Sequence, residues 1–190
     1  MTRWSRLLVV LLVLPFLTGI GLGKDKRTPD EERQDVQKMR ADVLDKLYSL
    51  APASKERIQR AAGYAVFSNV GINLLLISSG NGYGIAHDKA SVKDTYMKML
   101  SAGVGIGYGV KDFRAVFVFE SAEAMNRFIT EGWQATAQTD AAAKRGADGD
   151  AMNYEIELAP DIKLYQITEN GLALQATLQG TKYSIDKDLN

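Results

Sequence analysis

After Thr28 the chain alternates polar and apolar positions at the spacing of an α-helix. Apolar residues recur every three or four positions and share one helical face: Val36, Met39, Val43, Leu44, Leu47 and Leu50. Thr28 can cap this helix, Pro29 fits its first turn, and Glu31 can reach back to the cap. The apolar face needs an apolar partner, and two remain open: a sheet of the same chain, with the helix as scaffold, or a membrane surface.

Two shorter helices are also expected. Pro52 closes the long helix, and Ser54 is expected to cap a short second one that Gly63 would end. Ser121 can cap a third helix, which ends at Gly132 and has one apolar face, formed by Ala122, Met125, Phe128 and Ile129.

From Tyr64 onward, short apolar runs separated by turn residues indicate strands. Asn81-Gly82 and Asn170-Gly171 both predict hairpin turns, because Asn-Gly favours the backbone conformation of tight hairpins. The run from Phe113 to Phe119 is rich in aromatic and β-branched residues and predicts a strand, with Asp112 in the turn before it. The pattern predicts an α+β fold, in which N-terminal helices pack on a curved, mostly antiparallel sheet or partly closed barrel, with one further helix.

The stretch from Ser101 to Lys111 has glycine at every second position: Gly103, Gly105, Gly107 and Gly109. Neither the dinucleotide motif G-x-G-x-x-G nor a P-loop fits any register of the sequence, so we exclude a phosphate loop. A spacing of two is the period of a strand, so the four glycines share one bare face. That face can take a helix or another sheet of the same chain, or it can form a groove for a hydrophobic ligand such as an acyl chain.

The first 23 residues have the layout of a secretory signal. Arg3 and Arg6 precede an unbroken apolar run from Leu7 to Leu17, and small residues follow, with cleavage expected near Gly21 or Gly23. The run is shorter than the roughly 20 residues that cross a bilayer, although an uncleaved N-terminal anchor remains an alternative. Residues 24–34 form a polar linker and helix start, and residues 35–190 form a single domain.

Composition excludes several kinds of site. The chain has no cysteine and one histidine, which excludes thiol catalysis, disulfides, thiolate metal sites and multi-histidine metal centres. Lysine plus arginine and aspartate plus glutamate are both 23, so the chain lacks the basic field that nucleic-acid binding requires. We expect no cofactor, no metal and no nucleic-acid partner.

The single histidine, His87, is expected in a loop. A hydrolase could pair it with Ser78 or Ser79, but the adjacent Asp88 would not orient the ring as a catalytic triad requires. No G-x-S-x-G motif surrounds either serine. We therefore expect no catalytic residue here.

Two carboxylate pairs are also weak candidates. Asp148 and Asp150 could begin a calcium loop, but Met152 cannot supply the next oxygen ligand. Glu155 and Glu157 have a spacing that could suit glycosidase chemistry, although exposed glutamates on an amphipathic strand are far commoner.

Four segments taken in order resemble the SYLF domain family, whose members are lipid-binding domains of bacteria and of fungal and animal membrane-trafficking proteins. They are the stretch Ala61–Gly71, the glycine-rich stretch Ser78–Gly84, the glycine strand with the hydrophobic strand after it, and the closing segment Leu164–Asp188. Ser68 stands where the family commonly has proline. The resemblance covers about residues 35–190.

The resemblance implies a non-enzymatic domain that binds membrane lipid. Because the chain carries a signal, we expect export to the periplasm or envelope, with an anionic phospholipid or an acyl chain as ligand. Lys24, Lys26 and Arg27 form the compact basic cluster for a headgroup, and Trp133 is a candidate interface aromatic. The alternative is a structural or scaffolding envelope protein that binds another protein through the apolar helix or the glycine face.

Overall fold

A computed structural model describes residues 27–69, 81–101, 114–134, 154–168, 171–173 and 181–190. Three helices lie in these ranges: α1 (Pro29–Leu50), α2 (Ala53–Arg60) and α3 (Ala122–Thr130). The described strands are β1 (Gly63–Ser68), β2 (Asn81–Asp88), β3 (Lys93–Ser101), β4 (Arg114–Phe119), β5 (Trp133–Gln134), β6 (Ile156–Ala159), β7 (Ile162–Thr168), β8 (Gly171–Ala173) and β9 (Thr181–Ile185).

The described strands form one nine-stranded antiparallel sheet in the order β5-β9-β3-β2-β1-β4-β7-β6. The outer edge of β7 is shared, because β6 pairs with its first half and β8 with its second half. The sheet curls into a half-barrel. The predicted α+β class, with helices on a curved antiparallel sheet, is confirmed.

The outer face of the sheet carries α1 and α2. Thr28 and Glu31 form the predicted capping box, in which the Thr28 amide donates to Glu31 Oε2 at 2.8 Å and the Glu31 amide donates to Thr28 Oγ1 at 3.3 Å. The apolar stripe of α1 is buried against strand residues such as Val66 and Ile85, and its own buried members are Val36, Met39, Val43 and Leu47. The scaffold interpretation of α1 is therefore confirmed, and only the last residue of the stripe, Leu50, is exposed.

The inner face of the sheet is filled by aromatic rings and by α3. Phe67 and Phe117 lie on neighbouring strands, with ring centroids 5.8 Å apart, and Phe128 of α3 packs 5.1 Å from Phe117. Tyr183 of β9 closes the cluster at 4.6 Å from Phe67. Because both faces of the sheet are covered, the central strands are buried on both sides and lack a polar face.

Small residues on the inner face leave room for these rings. Phe67 pairs with Gly84 on one side and Ala115 on the other, and Phe117 pairs with Ala65. A Cβ added at Gly84 would overlap the Phe67 ring and lie 2.5 Å from the Val66 carbonyl oxygen. The strand position of Gly84 is therefore explained by close packing inside the molecule.

Several local predictions are confirmed. Ser121 caps α3 by accepting from the Ala124 amide at 3.2 Å. Gly132 follows α3 with a φ of +72°, a conformation that favours glycine. The hairpin predicted between β7 and β8 is confirmed by their antiparallel pairing, in which Gly171 begins β8 opposite Thr168, while Asn170 lies outside the described residues.

Other local predictions are wrong. Ser54 lies inside α2, where its hydroxyl donates to the Ala51 carbonyl, and Pro52 takes the cap position. The helix ends at Arg60, and Gly63 begins β1. Asn81-Gly82 forms the start of β2, opposite Leu100 and Met99 of β3, because tertiary pairing overrides the turn preference of the dipeptide.

The substitution Gly84→Ala tests the packing of the inner face. The added methyl meets the Phe67 ring and a backbone oxygen that cannot rotate away, so we expect the free energy of unfolding to fall by at least about 2 kcal/mol. Urea denaturation followed by circular dichroism measures this loss. Lys98→Ala, at an exposed position of β3, should change stability by less than about 0.5 kcal/mol, and equal effects of the two substitutions would contradict the packing argument.

Candidate functional site

Most of the residues proposed for lipid contact lie outside the described residues. These are Lys24, Lys26, Gly103, Gly105, Gly107 and Gly109, together with the signal at residues 1–23. Arg27 is described, and it lies just before α1, where its guanidinium pairs with Asp35 of the same helix. Of the three described helices, none has the length and hydropathy that a bilayer crossing requires.

Trp133, proposed as an interface aromatic, lies on β5 at the edge of the sheet. Its ring packs 5.5 Å from Phe117 and 5.7 Å from Tyr183, so one side of the indole belongs to the inner aromatic cluster. The side chain is half-buried. Trp133 therefore links the core to the surface at this edge.

A network of charged residues joins α2 to the sheet. Arg57 Nε lies 3.0 Å from Glu155 Oε2, and Arg57 Nη1 lies 3.2 Å from Glu120 Oε1. Glu155 also accepts a 2.6 Å hydrogen bond from the Tyr165 hydroxyl. Burial and the Glu155 carboxylate raise the pKa of Tyr165, so this hydroxyl keeps its proton and remains a donor.

Arg57 also borders a surface cavity of about 400 Å³, a volume in the range of small-molecule sites. The walls are built by one face of α2, the residue after α2 and the residue after β4: Ala53, Glu56, Arg57, Arg60, Ala61 and Glu120. Arg60 pairs with Glu56 one helical turn earlier. The cavity therefore has two cationic and two anionic side chains in its wall.

A second polar cluster joins α1 to β2 and β3. His87 lies in β2 and faces Asp94 of β3, with His87 Nδ1 at 2.7 Å from Asp94 Oδ1. Arg40 of α1 donates to the same oxygen at 2.9 Å, and Gln37 donates to the other oxygen at 2.9 Å. An ionised Asp94 can only accept, so the shared proton belongs to His87 Nδ1.

These contacts correct the expectation of a loop histidine, since His87 is a strand residue bound to Asp94. Asp88 has a different partner set: it accepts from the Ala90 amide and the Ser91 hydroxyl in the β2–β3 turn. Ser78 and Ser79, the serines considered for a hydrolase, lie outside the described residues. Gln37 and Arg40 of α1, which both donate to Asp94, clamp the helix to the sheet, and His87 holds Asp94 from the neighbouring strand.

The pKa of Asp94 reflects two opposing effects. Burial raises it, but hydrogen bonds from Gln37 and His87 and the charge of Arg40 outweigh burial and lower it. Because the pKa of Asp94 is lower in the folded state, the ionised carboxylate stabilises the fold at pH values above 3.8, the ordinary pKa of an aspartate. That stabilisation is lost as the pH falls through the folded-state pKa.

The carboxylate pairs differ from each other in their surroundings. Glu157 is an exposed strand residue that pairs with Lys163 at 2.8 Å, as expected for an amphipathic strand. Glu155 is largely buried in the Arg57 network, which the exposed-strand interpretation misses. Asp148 and Asp150 lie outside the described residues, and within the described ranges no group of three potential metal ligands occurs.

Sequence reasoning missed both polar clusters for different reasons. If the turn is placed at Lys89–Val92, the strand pattern sets His87 opposite Asp94. The contact between these two residues could therefore have been predicted from the sequence. The Arg57 network joins Arg57 of α2 to the residue just after β4 and the residue just before β6, and no local motif indicates it. Only the packing of α2 on the sheet brings these residues together.

Two buried polar atoms on the inner face have no hydrogen-bond partner in the part of the chain that the structure describes. They are the Tyr183 hydroxyl and Gln166 Oε1. Burial raises the pKa of Tyr183, so the hydroxyl is neutral and pays for desolvation without a bond from any described residue. Within the described ranges, Tyr183 and Tyr165 thus make a matched pair, the first hydroxyl without a partner and the second bonded to Glu155.

Asp94→Asn tests the clamp and its pH dependence. At pH 7 we expect a loss of about 1–3 kcal/mol in the free energy of unfolding, because the variant keeps the shape of the side chain and removes the charge. The difference from the wild type should shrink as the pH falls from the ordinary pKa of 3.8, where Asp94 is protonated in the unfolded chain, through the lowered pKa of the folded state. Urea titrations across this pH range measure the difference in the free energy of unfolding, and the exposed substitution Asp42→Asn is the control. A difference that does not change with pH would contradict the ionic clamp.

Tyr183→Phe and Tyr165→Phe test the two hydroxyls against each other. Removing the unbonded Tyr183 hydroxyl should leave stability unchanged or raise it by up to about 1 kcal/mol, whereas Tyr165→Phe should lower it by about 1–3 kcal/mol. Thermal and urea unfolding measure both. A loss at Tyr183 as large as that at Tyr165 would show that the Tyr183 hydroxyl has a partner.

Comparison with known proteins adds one relative. No family model matches the chain. The chain is similar to Beta cell expansion factor A of Aeromonas veronii, with 36% identity over 163 residues. The alignment covers 86% of this chain and 60% of that relative, so the chain spans less than two thirds of the relative's length. The chain is therefore a homologue of Beta cell expansion factor A over most of its own length.

Proposed function

We propose that this chain is a non-enzymatic lipid-binding domain of the SYLF type that is exported to the bacterial envelope. Its ligand is a membrane phospholipid, held by the headgroup, the acyl chains or both.

One observation carries the proposal: each of the four resembling segments contributes a described strand to the middle of one sheet. Ala61–Gly71 includes β1, Ser78–Gly84 opens β2, the hydrophobic strand after the glycines is β4, and Leu164–Asp188 includes most of β7, together with β8 and β9 nearer the sheet edges. These four strands are neighbours in the order β2-β1-β4-β7. Segments that are distant in sequence thus build one continuous unit, as expected if the resemblance reflects a shared fold.

The charge distribution supports a role at a membrane surface. Removal of residues 1–23 would leave a net charge of −2, and Lys24, Lys26 and Arg27 would then form a basic cluster at the new N-terminus. Such a cluster contacts anionic lipid within a Debye length of the surface. Arg27 contributes less than a free cation, because it pairs with Asp35.

The protein-scaffold alternative loses one of its two surfaces. The apolar stripe of α1 is covered by the sheet of the same chain, with Val36 3% and Leu47 0% exposed. The same burial removes the stripe as a membrane-binding surface. Contact with another protein through the glycine face at Gly103–Gly109 remains an alternative for the experiment below.

Vesicle co-sedimentation of the exported protein tests lipid binding. We expect binding to vesicles that contain phosphatidylglycerol, and we expect the triple variant Lys24→Gln, Lys26→Gln, Arg27→Gln to reduce it by about 30-fold or more at low salt, since each lysine near the surface contributes about 1 kcal/mol and Arg27 contributes less. Arg127→Gln, a substitution of an exposed α3 residue, is the matched control. Native mass spectrometry of protein from its own host identifies retained lipid.

The outcomes separate the alternatives. Binding to no vesicle composition, together with no retained lipid, would overturn the lipid function and leave the fold intact. Crosslinking in cells that gives one dominant protein adduct and no lipid would favour the scaffold.

A further inference from the structure

Arg57, in the wall of the cavity beside α2, makes two unequal contacts with carboxylates. Glu155 lies behind the cavity, is 13% exposed, and is fixed by both Arg57 Nε and the Tyr165 hydroxyl. Glu120 lies in the cavity wall, is 36% exposed, and meets Arg57 Nη1 at the longer distance of 3.2 Å. The inner contact therefore orients the guanidinium, and the outer contact can be exchanged.

The other two charged residues of the cavity wall also form an ion pair at the surface. Arg60 and Glu56 form an exposed pair one helical turn apart on α2. Exposed ion pairs contribute little to stability, because solvent screens them and two side chains lose freedom. A ligand can therefore separate these ion pairs with only a small loss of binding free energy.

We propose that this cavity binds a small group that carries both a phosphate and an ammonium, as in phosphoethanolamine. The phosphate takes the place of the Glu120 carboxylate on Arg57 and of Glu56 on Arg60. The ammonium then pairs with the released Glu120 and Glu56 carboxylates. The exchange leaves every charge with a partner.

The charge balance of the wall excludes simpler ligands. A phosphate alone would occupy the arginines but leave two carboxylates beside an anion. An amine alone would leave the arginines unpaired. Arginine is suited to this role because its planar fork can donate two parallel hydrogen bonds to one phosphate.

The same chemistry has two sources, a free metabolite and a lipid headgroup. Only the lipid source rests on the proposed lipid function, where it would add a zwitterionic headgroup to the anionic lipid expected from the basic cluster. The cavity lies among charged, exposed side chains, which suits a headgroup better than an acyl chain.

Titration of the exported protein by NMR and calorimetry tests the site directly. The probes are O-phosphoethanolamine, inorganic phosphate and ethanolamine. We expect O-phosphoethanolamine to bind at least about tenfold tighter than either fragment, because only it satisfies both signs of charge. Amide shifts should centre on Ala53, Arg57 and Glu120.

Two variants separate the roles of the wall residues. Glu120→Gln removes both the internal competitor for Arg57 and one ammonium partner, so inorganic phosphate should bind equally well or better while O-phosphoethanolamine weakens. Arg60→Ala should weaken both phosphate probes. Arg127→Ala and Glu123→Gln, an exposed pair 3.9 Å apart on α3, are the controls and should leave all affinities unchanged.

An unchanged preference for O-phosphoethanolamine in Glu120→Gln, or no binding by the wild type, overturns the site. Vesicles containing phosphatidylethanolamine or only phosphatidylglycerol separate this result from the lipid function. Vesicle binding that the wall variants do not alter, with no binding of the free probe, overturns the cavity proposal and leaves lipid binding standing. Binding of the free probe without vesicle binding supports the site with a metabolite as ligand.

Discussion

The inner face of the half-barrel depends on filling a concave surface with rings that do not collide. Phe67 lies between Gly84 and Ala115, and Phe117 lies between Ala65 and Leu164. Dense interiors tolerate little excess volume, so at least one cross-strand neighbour of each ring has to be small. Phe128 packs against the same two rings, so the seat of α3 depends on this arrangement.

This packing changes how alternating glycines in a strand are interpreted. In β2, Gly82 and Gly84 share a face, and that face is covered by Met99 and Phe67 of the neighbouring strands. Bare backbone in a sheet is therefore explained there without any ligand. The same pattern at Gly103–Gly109 lies outside the described residues, so the choice between an internal neighbour and an acyl chain falls to experiment.

How much the sequence could predict depended on how local the cause was. The Thr28–Glu31 capping box and the Ser121 cap involve residues three positions apart, and both were predictable. The turn expected at Asn81-Gly82 failed because pairing with β3 decides that conformation. The cavity at Arg57 could not be predicted, since its partners Glu120 and Glu155 are brought together only when α2 packs on the finished sheet.

The polar side of α1 limits how the domain can meet a membrane. Arg33 donates to the Leu189 carbonyl, while Gln37 and Arg40 hold Asp94, so the helix is tied to the C-terminal segment and to β3 along its first half. Releasing its apolar stripe to lipid would break these bonds and also expose the core residues beneath it. The proposed lipid contact would therefore use surfaces that leave α1 in place, such as the basic segment before it or the cavity beside α2.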